Sequence, residues 1–416
     1  VAGKGYGEFR QGWPVVLAAM LGIGLGLSPV PFYTIGVLAP ELAREFGWGF
    51  GEIMGGLSVM TFAVLVASPL VGLLADRYGV RPVTLMSVVL FSLSFMAFAL
   101  GTGNIVLFYV TWGVMAVAGA GTLPITWTRA VNSWFEERKG LALGLSLLGT
   151  GLFGAAIKPF TAWIIEEHGW RAAYVAIGAL PLLLALPVAV LFFKDRSGTM
   201  RTAADRKAAV AAVPGMTFGQ TLGDWRFWLL ALAFIPISFA IGGPIPNMEN
   251  ILSNGGFTQA QVISLVPAIG LSVIVGRLAG GWLIDRFWAP GVAFVLLAAP
   301  AIACWIFAHG PLTYETALLS IVLIGVAAGV EFDLLAFMVA RYFGMKNYAG
   351  IYGALYACFA LGAGLGPVVF GRWFDAHGDY GGILIASAAM LVVGAASLLA
   401  LGSYRRFEPE SARADA

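Results

Sequence analysis

Five ionisable residues of this 416-residue chain stand inside long apolar runs: Arg129, Lys158, Arg277, Glu331 and Asp333. Charge is costly in hydrocarbon, so such residues face a partner or a water-filled cavity, and each is a candidate for function. Arg277 lies eight residues before Asp285, about 12 Å along a helix and too deep to reach water easily. Asp333 and Glu331 lie eight and ten residues before Arg341, so the three side chains share one depth and could meet. A guanidinium keeps its charge and matches a carboxylate with two parallel hydrogen bonds, which suits this group to capturing an organic acid. A standing ion pair of Arg277 with Glu331 or Asp333 is the alternative. The two acids are two residues apart and point ~200° apart around a helix, so only one faces a given cavity. That acid can take a proton while substrate occupies the arginine, or serve as a counter-ion that never titrates. Glu331 is the deeper of the two.

Lys158 is 19 residues beyond Lys139, about 28 Å along the same helix. It is a candidate for substrate binding, with snorkelling towards Glu166 or outer water as an equally good account. Arg129, nine residues from Arg138, fits a gate or a snorkelled lip. Among neutral groups, Asn247 follows the GGPIPN break and Tyr33 follows SPVP, while Tyr352 and Tyr356 sit in a late apolar run. Asn247, Tyr33 and Tyr356 are second-rank candidates for ligand contact, against a simple kink and aromatic packing. No nucleophile–base set, phosphate loop or metal cluster is visible, so no enzyme chemistry and no cofactor are expected. Cys304 and Cys358 lack the spacing of a zinc or disulfide framework.

These residues need elements to hold them, and composition says which. Hydrophobic residues make up 59% of the chain and charged ones 11%, against about a quarter charged in a soluble domain. A water-soluble fold is excluded. The runs do not alternate with period two and are long enough for helices rather than barrel strands. Twelve spans are expected, at 13–39, 51–74, 82–100, 105–134, 140–165, 172–193, 227–252, 262–283, 290–307, 316–340, 349–373 and 381–401. One long connection divides the chain into a six-helix half (1–194), a central loop (195–225) and a second six-helix half (226–416). With both termini on one side, the loops there hold 18 of the 24 Lys and Arg. The far loops, with the span ends that adjoin them, hold Arg44, Arg171 and Arg372 with nine acids, and the net charges are +7 near the termini, −6 on the far side and +1 in the spans. The positive-inside rule makes the termini cytoplasmic in a multi-pass inner-membrane protein. The start VAGKGYGEFRQGW is too polar for a cleaved signal peptide. A pI near 8.5 with so few charges gives no case for a nucleic-acid partner.

The halves repeat. Asp76 and Asp285 are 209 residues apart, Gly121 and Gly329, Phe135 and Phe343, and Gly154 and Gly362 are 208 apart, and His168-Gly169 recurs as His377-Gly378. A six-helix unit duplicated in parallel is one of the plans of secondary transporters. At the five charged positions the other copy holds Phe337, Gly366, Ser68, Leu123 and Ile125, none charged. Charge there is dispensable for the fold, which favours function.

Span two ends in GLLADRYGVR (72–81), whose Gly-x-x-x-Asp-Arg-x-Gly-x-Arg pattern, with twelve spans and a basic central loop, resembles the major facilitator superfamily. WFEERKGLALGLSLLGTGLFG, HGWR and ARYFGMKNYAGIYGALYACFALGAGLGP resemble its monocarboxylate transporter and oxalate:formate antiporter branch. The resemblance implies an all-α major facilitator fold, a monomer, and alternating access. It implies a gate latch at Asp76 with Arg77 and Arg81, repeated at Asp285. In that branch an Arg of span eight binds the substrate carboxylate, and Arg277 matches its place. The implied function is symport of a small organic monocarboxylate with a proton, with anion exchange and carboxylate sensing as alternatives. Animal monocarboxylate carriers end span one on Lys and place an acid four residues before the span-eight Arg, where this chain has Pro40 and Val273. The Lys that oxalate exchangers carry in span eleven has no equivalent between Tyr352 and Pro367. Glycines of span five (Gly149, Gly151, Gly154) and span eleven (Gly362, Gly364, Gly366) permit close helix approach.

Overall fold

A computed structural model describes residues 2–135, 139–194, 215–344, 346–405 and 407. Every run expected to span is helical, and the described residues contain no strand beyond a single bridge between Gly215 and Gly344. Eleven helices among them are long and apolar enough to cross a bilayer. One of these, Ala142–Phe192, runs 51 residues, more than twice a spanning length. Gly169 breaks it with φ 80°, a backbone conformation that side-chain-bearing residues rarely adopt. It therefore carries spans five and six, and the twelve crossings are accounted for. The repeated His-Gly has one backbone role in both copies, since Gly378 ends span eleven with φ 74°. Most of the central loop, 195–214, lies outside the described residues.

Packing groups the chain into two units. The first comprises Val1–Gly198, Gly243–Ile274 and Pro367–Tyr380. It thus holds all of spans one to six together with the segments of spans seven, eight and eleven that lie away from the termini. Around Val15, Ile23, Trp127, Phe135 and Phe193 it has a fully buried core. Span one is made of Ala2–Gly24 and Pro29–Phe46, the second piece opening on Pro29-Val30-Pro31. Proline suits the first turn of a helix because the missing N–H would be unpaired there anyway. In a bilayer the groups freed by such a break need partners from neighbouring helices. Thr122, in the matching break of span four, supplies one: its hydroxyl accepts from the Leu27 N–H at 2.9 Å and donates to the Gly119 carbonyl at 2.7 Å. Span seven breaks in the same way, into Trp225–Gly242 and Pro244–Asn254, the latter opening on Pro244-Ile245-Pro246.

Span eleven docks on span two within this unit. The Asp375 carboxylate accepts from the Phe50 and Gly51 N–H groups at 2.8 Å each, closing the N-terminus of Phe50–Tyr78. Carboxylates are favoured there by the free donors and the helix dipole. Small residues allow further approaches, with Gly149 against the Met20 carbonyl and Gly151 against that of Gly270.

The second unit comprises Thr199–Gly242, Val275–Gly366 and Gly381–Ala416. Gly276 and Gly280 of span eight face Val326 and Val330 of span ten, and Gly362 of span eleven meets the Ile235 carbonyl of span seven. The Ser238 hydroxyl donates to the Phe359 carbonyl at 2.8 Å. Without a hydrophobic drive between helices in lipid, such small-residue contacts carry the association.

A Cβ at Gly276 would stand 2.1 Å from the Val326 carbonyl oxygen, whereas one at Gly281 meets nothing within 4 Å. Gly276→Val is expected to destabilise the detergent-solubilised protein by about 1–3 kcal/mol, read as a lowered thermal midpoint, with Gly281→Ala unchanged. Equal midpoints for the two variants would show that spans eight and ten do not meet at Gly276.

Candidate functional site

In the second unit the close contact at Gly276 and Gly280 sets the geometry of the charged group. Val326, Val330 and Asp333 are spaced i, i+4, i+7 along span ten, one stripe of a helix, so the turn after the contact presents Asp333 towards the side of span eight that carries Arg277. Arg277 Nε lies 3.9 Å from Asp333 Oδ2. That separation is an ion pair without a hydrogen bond. The Arg277 side chain is 15% exposed, and its buried Nε has no hydrogen-bond partner among the described residues. Most of a guanidinium's capacity for forked hydrogen bonding is left unspent. Glu331, off the stripe, is buried at 6% exposure with an unpartnered Oε2. The acid brought to Arg277 is thus Asp333, not the deeper Glu331.

A run of aromatic rings reaches the same group at one residue. Tyr348, Tyr352, Tyr356 and Phe359 run down span eleven in sequential ring contact, with centroids 5.8–6.2 Å apart. Phe332, beside Asp333, packs on Phe359 at 4.4 Å and on Tyr356 at 6.0 Å. Tyr352 lies within electrostatic range of both Arg277 and Asp333, so it, rather than Tyr356, is the tyrosine at the ion pair. Its place was readable in principle, because four residues separate it from Tyr356 on one helix face.

A second charged group lies in the first unit. Lys158 Nζ donates to Glu249 Oε1 at 2.6 Å, with side chains 2% and 10% exposed. Lys158 therefore does not snorkel towards Glu166, which is exposed. Its partner, one of the nine acids assigned to the far loops, is instead buried inside span seven. The signal for it was modest: Glu249 falls three residues short of the expected end of that span. Tyr33 stands beside the lysine, its ring centroid 5.9 Å from Nζ. Gly154 leaves room for that ring and Gly36 for the Glu249 carboxylate, since a Cβ at either would come within 2.7 Å of them.

The remaining candidates fall elsewhere. The Asn247 amide donates to the carbonyls of Gly243 at 2.9 Å and Pro367 at 3.2 Å, so one donor closes the span-seven break on itself and the other ties it to span eleven. Three residues on, Asn250 donates to the Tyr380 hydroxyl at 2.7 Å. Burial pushes the Tyr380 phenol well above its ordinary pKa, so it stays a neutral hydroxyl at physiological pH. Arg81 donates to the Val190 carbonyl at 2.6 Å, at the end of span six. Asp285 is exposed. The side chains of Asp76, Arg77 and Arg129 lie outside the described residues. Among the described residues no cluster of three or more His, Cys, Asp or Glu could hold a metal.

A family profile described as the Major Facilitator Superfamily matches residues 21–367. An uncharacterized 38 kDa protein of the 23S RNA operon of Thermoproteus tenax is 31% identical over 382 residues, covering 90% of this chain and 92% of that one. Monocarboxylate transporter 13 of Bos taurus is 25% identical over 411 residues, covering 97% and 92%. A probable sulfoacetate transporter of Cupriavidus necator is 25% identical, covering 88% of each chain. The fold is shared with the crystal structure of a bacterial homologue of the human lysosomal transporter Spinster, at a TM-score of 0.67 and 17% identity over 94% of this chain and 97% of that one.

Breaking a buried ion pair leaves one charge uncompensated and costs about 3–5 kcal/mol, whereas replacing both partners by apolar groups is often neutral. Lys158→Met alone is therefore expected to lower the thermal midpoint markedly, and the double variant Lys158→Met with Glu249→Met to recover most of the loss. A double variant as unstable as the single one would show that the pair is not coupled.

Proposed function

Because the chain belongs to the Major Facilitator Superfamily, a family of membrane transporters rather than enzymes, we propose that it moves a small organic monocarboxylate by alternating access in symport with a proton. The observation that carries this reading is Arg277, a nearly buried guanidinium whose ion-pair partner among the described residues, Asp333, stands 3.9 Å away without a hydrogen bond. A saturated structural arginine would have spent its donors. Here they remain free for an anion, and the run of rings that comes within range of the ion pair at Tyr352 and continues through Tyr356 to Phe359 and Phe332 offers apolar contact to the rest of an organic acid. Two relatives carry names in keeping with that substrate class, a monocarboxylate transporter and a probable sulfoacetate transporter.

The proton has a place in the same group. When a substrate carboxylate takes the guanidinium, Asp333, its side chain 34% exposed, loses its counter-ion and faces a second anion, which is costly for its charged form. Taking up a proton removes that cost. Glu331, buried without a partner for Oε2, is the second acid of the relay. The loaded site then holds one cation and one bound anion, a neutral load that can reorient across the bilayer. By the positive-inside rule the protein sits in the inner membrane with both termini in the cytoplasm, and it works as a monomer.

Uptake into proteoliposomes of a panel from acetate and lactate to benzoates, with and without an inward proton gradient, tests the reading. Arg277→Ala is expected to lower uptake at least about 100-fold, the loss of a charge-assisted bidentate contact, and Arg277→Lys to recover only part. Asp333→Asn is expected to abolish stimulation by the gradient while sparing exchange of labelled substrate. Full uptake by Arg277→Ala would overturn the substrate site. Uptake that ignores the proton gradient and requires an internal anion would replace symport by exchange.

A further inference from the structure

The Lys158–Glu249 pair borders a cavity of about 190 Å³. Its walls are apolar at Val37, Pro40, Phe50 and Val262, with Asn250 and Gln259 as polar groups beside the charged pair. Such a volume holds a few waters or one small organic acid. The pair does not fill its own bonding capacity. An ammonium has three donors and a carboxylate two acceptor oxygens; one hydrogen bond joins Nζ to Oε1, and the buried Oε2 of Glu249 has no partner among the described residues. A purely structural ion pair of this burial would be expected to have its remaining groups satisfied by neighbours.

We propose that this cavity is a second carboxylate site, separate from Arg277, in which the ligand carboxylate takes the place of Glu249 on Lys158. The choice of ligand rests on the monocarboxylate reading above. Glu249 acts as an internal stand-in: an Oε1 that already sits 2.6 Å from Nζ has the chemistry of the group that replaces it, so one anion stays on Lys158 while the displaced Glu249 carboxylate passes to the polar cavity wall at Asn250 and Gln259. Glu249 reaches Lys158 from span seven, and span five carries the lysine, so occupation of the site by a free acid also dissolves the tie between these two helices. Gly36 fits the same role. Its missing side chain makes the space that the Glu249 carboxylate occupies, with Oε2 only 2.4 Å from where a Cβ would be.

Equilibrium binding of radiolabelled acetate and of radiolabelled benzoate to the full-length protein in lipid nanodiscs tests the site, each variant first checked for a monodisperse elution profile. Arg277→Ala removes the first site, and we expect it to retain weak binding of one carboxylate per chain. Adding Glu249→Ala is expected to tighten that binding by about tenfold or more, because a tethered competitor acts at an effective concentration in the millimolar range. Adding Lys158→Met and Glu249→Met to Arg277→Ala is expected to abolish it. Since Glu249→Ala leaves a buried lysine unpaired, Glu249→Ser is run beside it, and the thermal midpoint of either is expected to rise when acetate or benzoate is added. Absence of binding in Arg277→Ala, no tightening on removal of Glu249, or unchanged binding without Lys158 would each overturn the proposal. Identical binding by wild type and Arg277→Ala would count against the Arg277 site alone, because the Lys158 variants are compared within the Arg277→Ala background.

Discussion

A charge buried among membrane-spanning helices must be matched, and the way each cation of this protein is matched organises much of what surrounds it. Lys158, almost without solvent contact, is held at hydrogen-bond distance by Glu249. Arg277 is given an acid at 3.9 Å and no more. To achieve the first arrangement, span seven has to break at Pro244 and Pro246 so that its far segment packs beside spans one and five, and Gly36 and Gly154 have to be without side chains. To achieve the second, Gly276 and Gly280 bring span eight against span ten.

Much of the fold was legible because the bilayer imposes it. A span needs about 20 apolar residues, and the runs of this chain are that long, so all twelve were readable together with the duplication. Gly169 shows where helix assignment and span counting part company. Its φ of 80° turns the chain within an otherwise continuous helix, and the sequence signalled it by the HGWR that separates two runs and recurs as His377-Gly378. Depth was also legible, since counting 1.5 Å per residue from Asp285 and Arg341 put Arg277 and Asp333 on one level.

Azimuth and partnership were not. The count of depth ranks Glu331 above Asp333, but the face that matters is fixed by the contact of Gly276 and Gly280 with Val326 and Val330, which no single sequence announces. Glu249 was hidden for a different reason. An acid near the limit of a span has a cheap explanation in the adjoining loop, and only the Pro-x-Pro break shows that the segment after it is buried. Likewise Asn247 looks like a ligand group when read as a polar residue in a broken helix. The break itself consumes it, because freed carbonyls in an apolar setting need donors and Asn247 provides them to Gly243 and Pro367.

The duplication gives these particulars their meaning. When the breaks Pro29-Val30-Pro31 and Pro244-Ile245-Pro246 are laid on one another, Glu249 falls at the place of Thr34, whose hydroxyl merely donates to the carbonyl one turn back, that of Val30. Lys158 falls at Gly366, Arg277 at Ser68 and Asp333 at Ile125. Span four is interrupted at Thr122 and span ten, its copy, runs unbroken from Tyr314 to Phe343 through the acids. The two copies share their spans, their His-Gly turns and their proline breaks, which are the features a membrane fold requires. They differ at the charges, which it does not require and which cost free energy to bury. A device that recurred in both copies could be ascribed to the scaffold. Charges confined to one copy, joined by a hydrogen bond at Lys158 and by an ion pair without one at Arg277, have no such ascription.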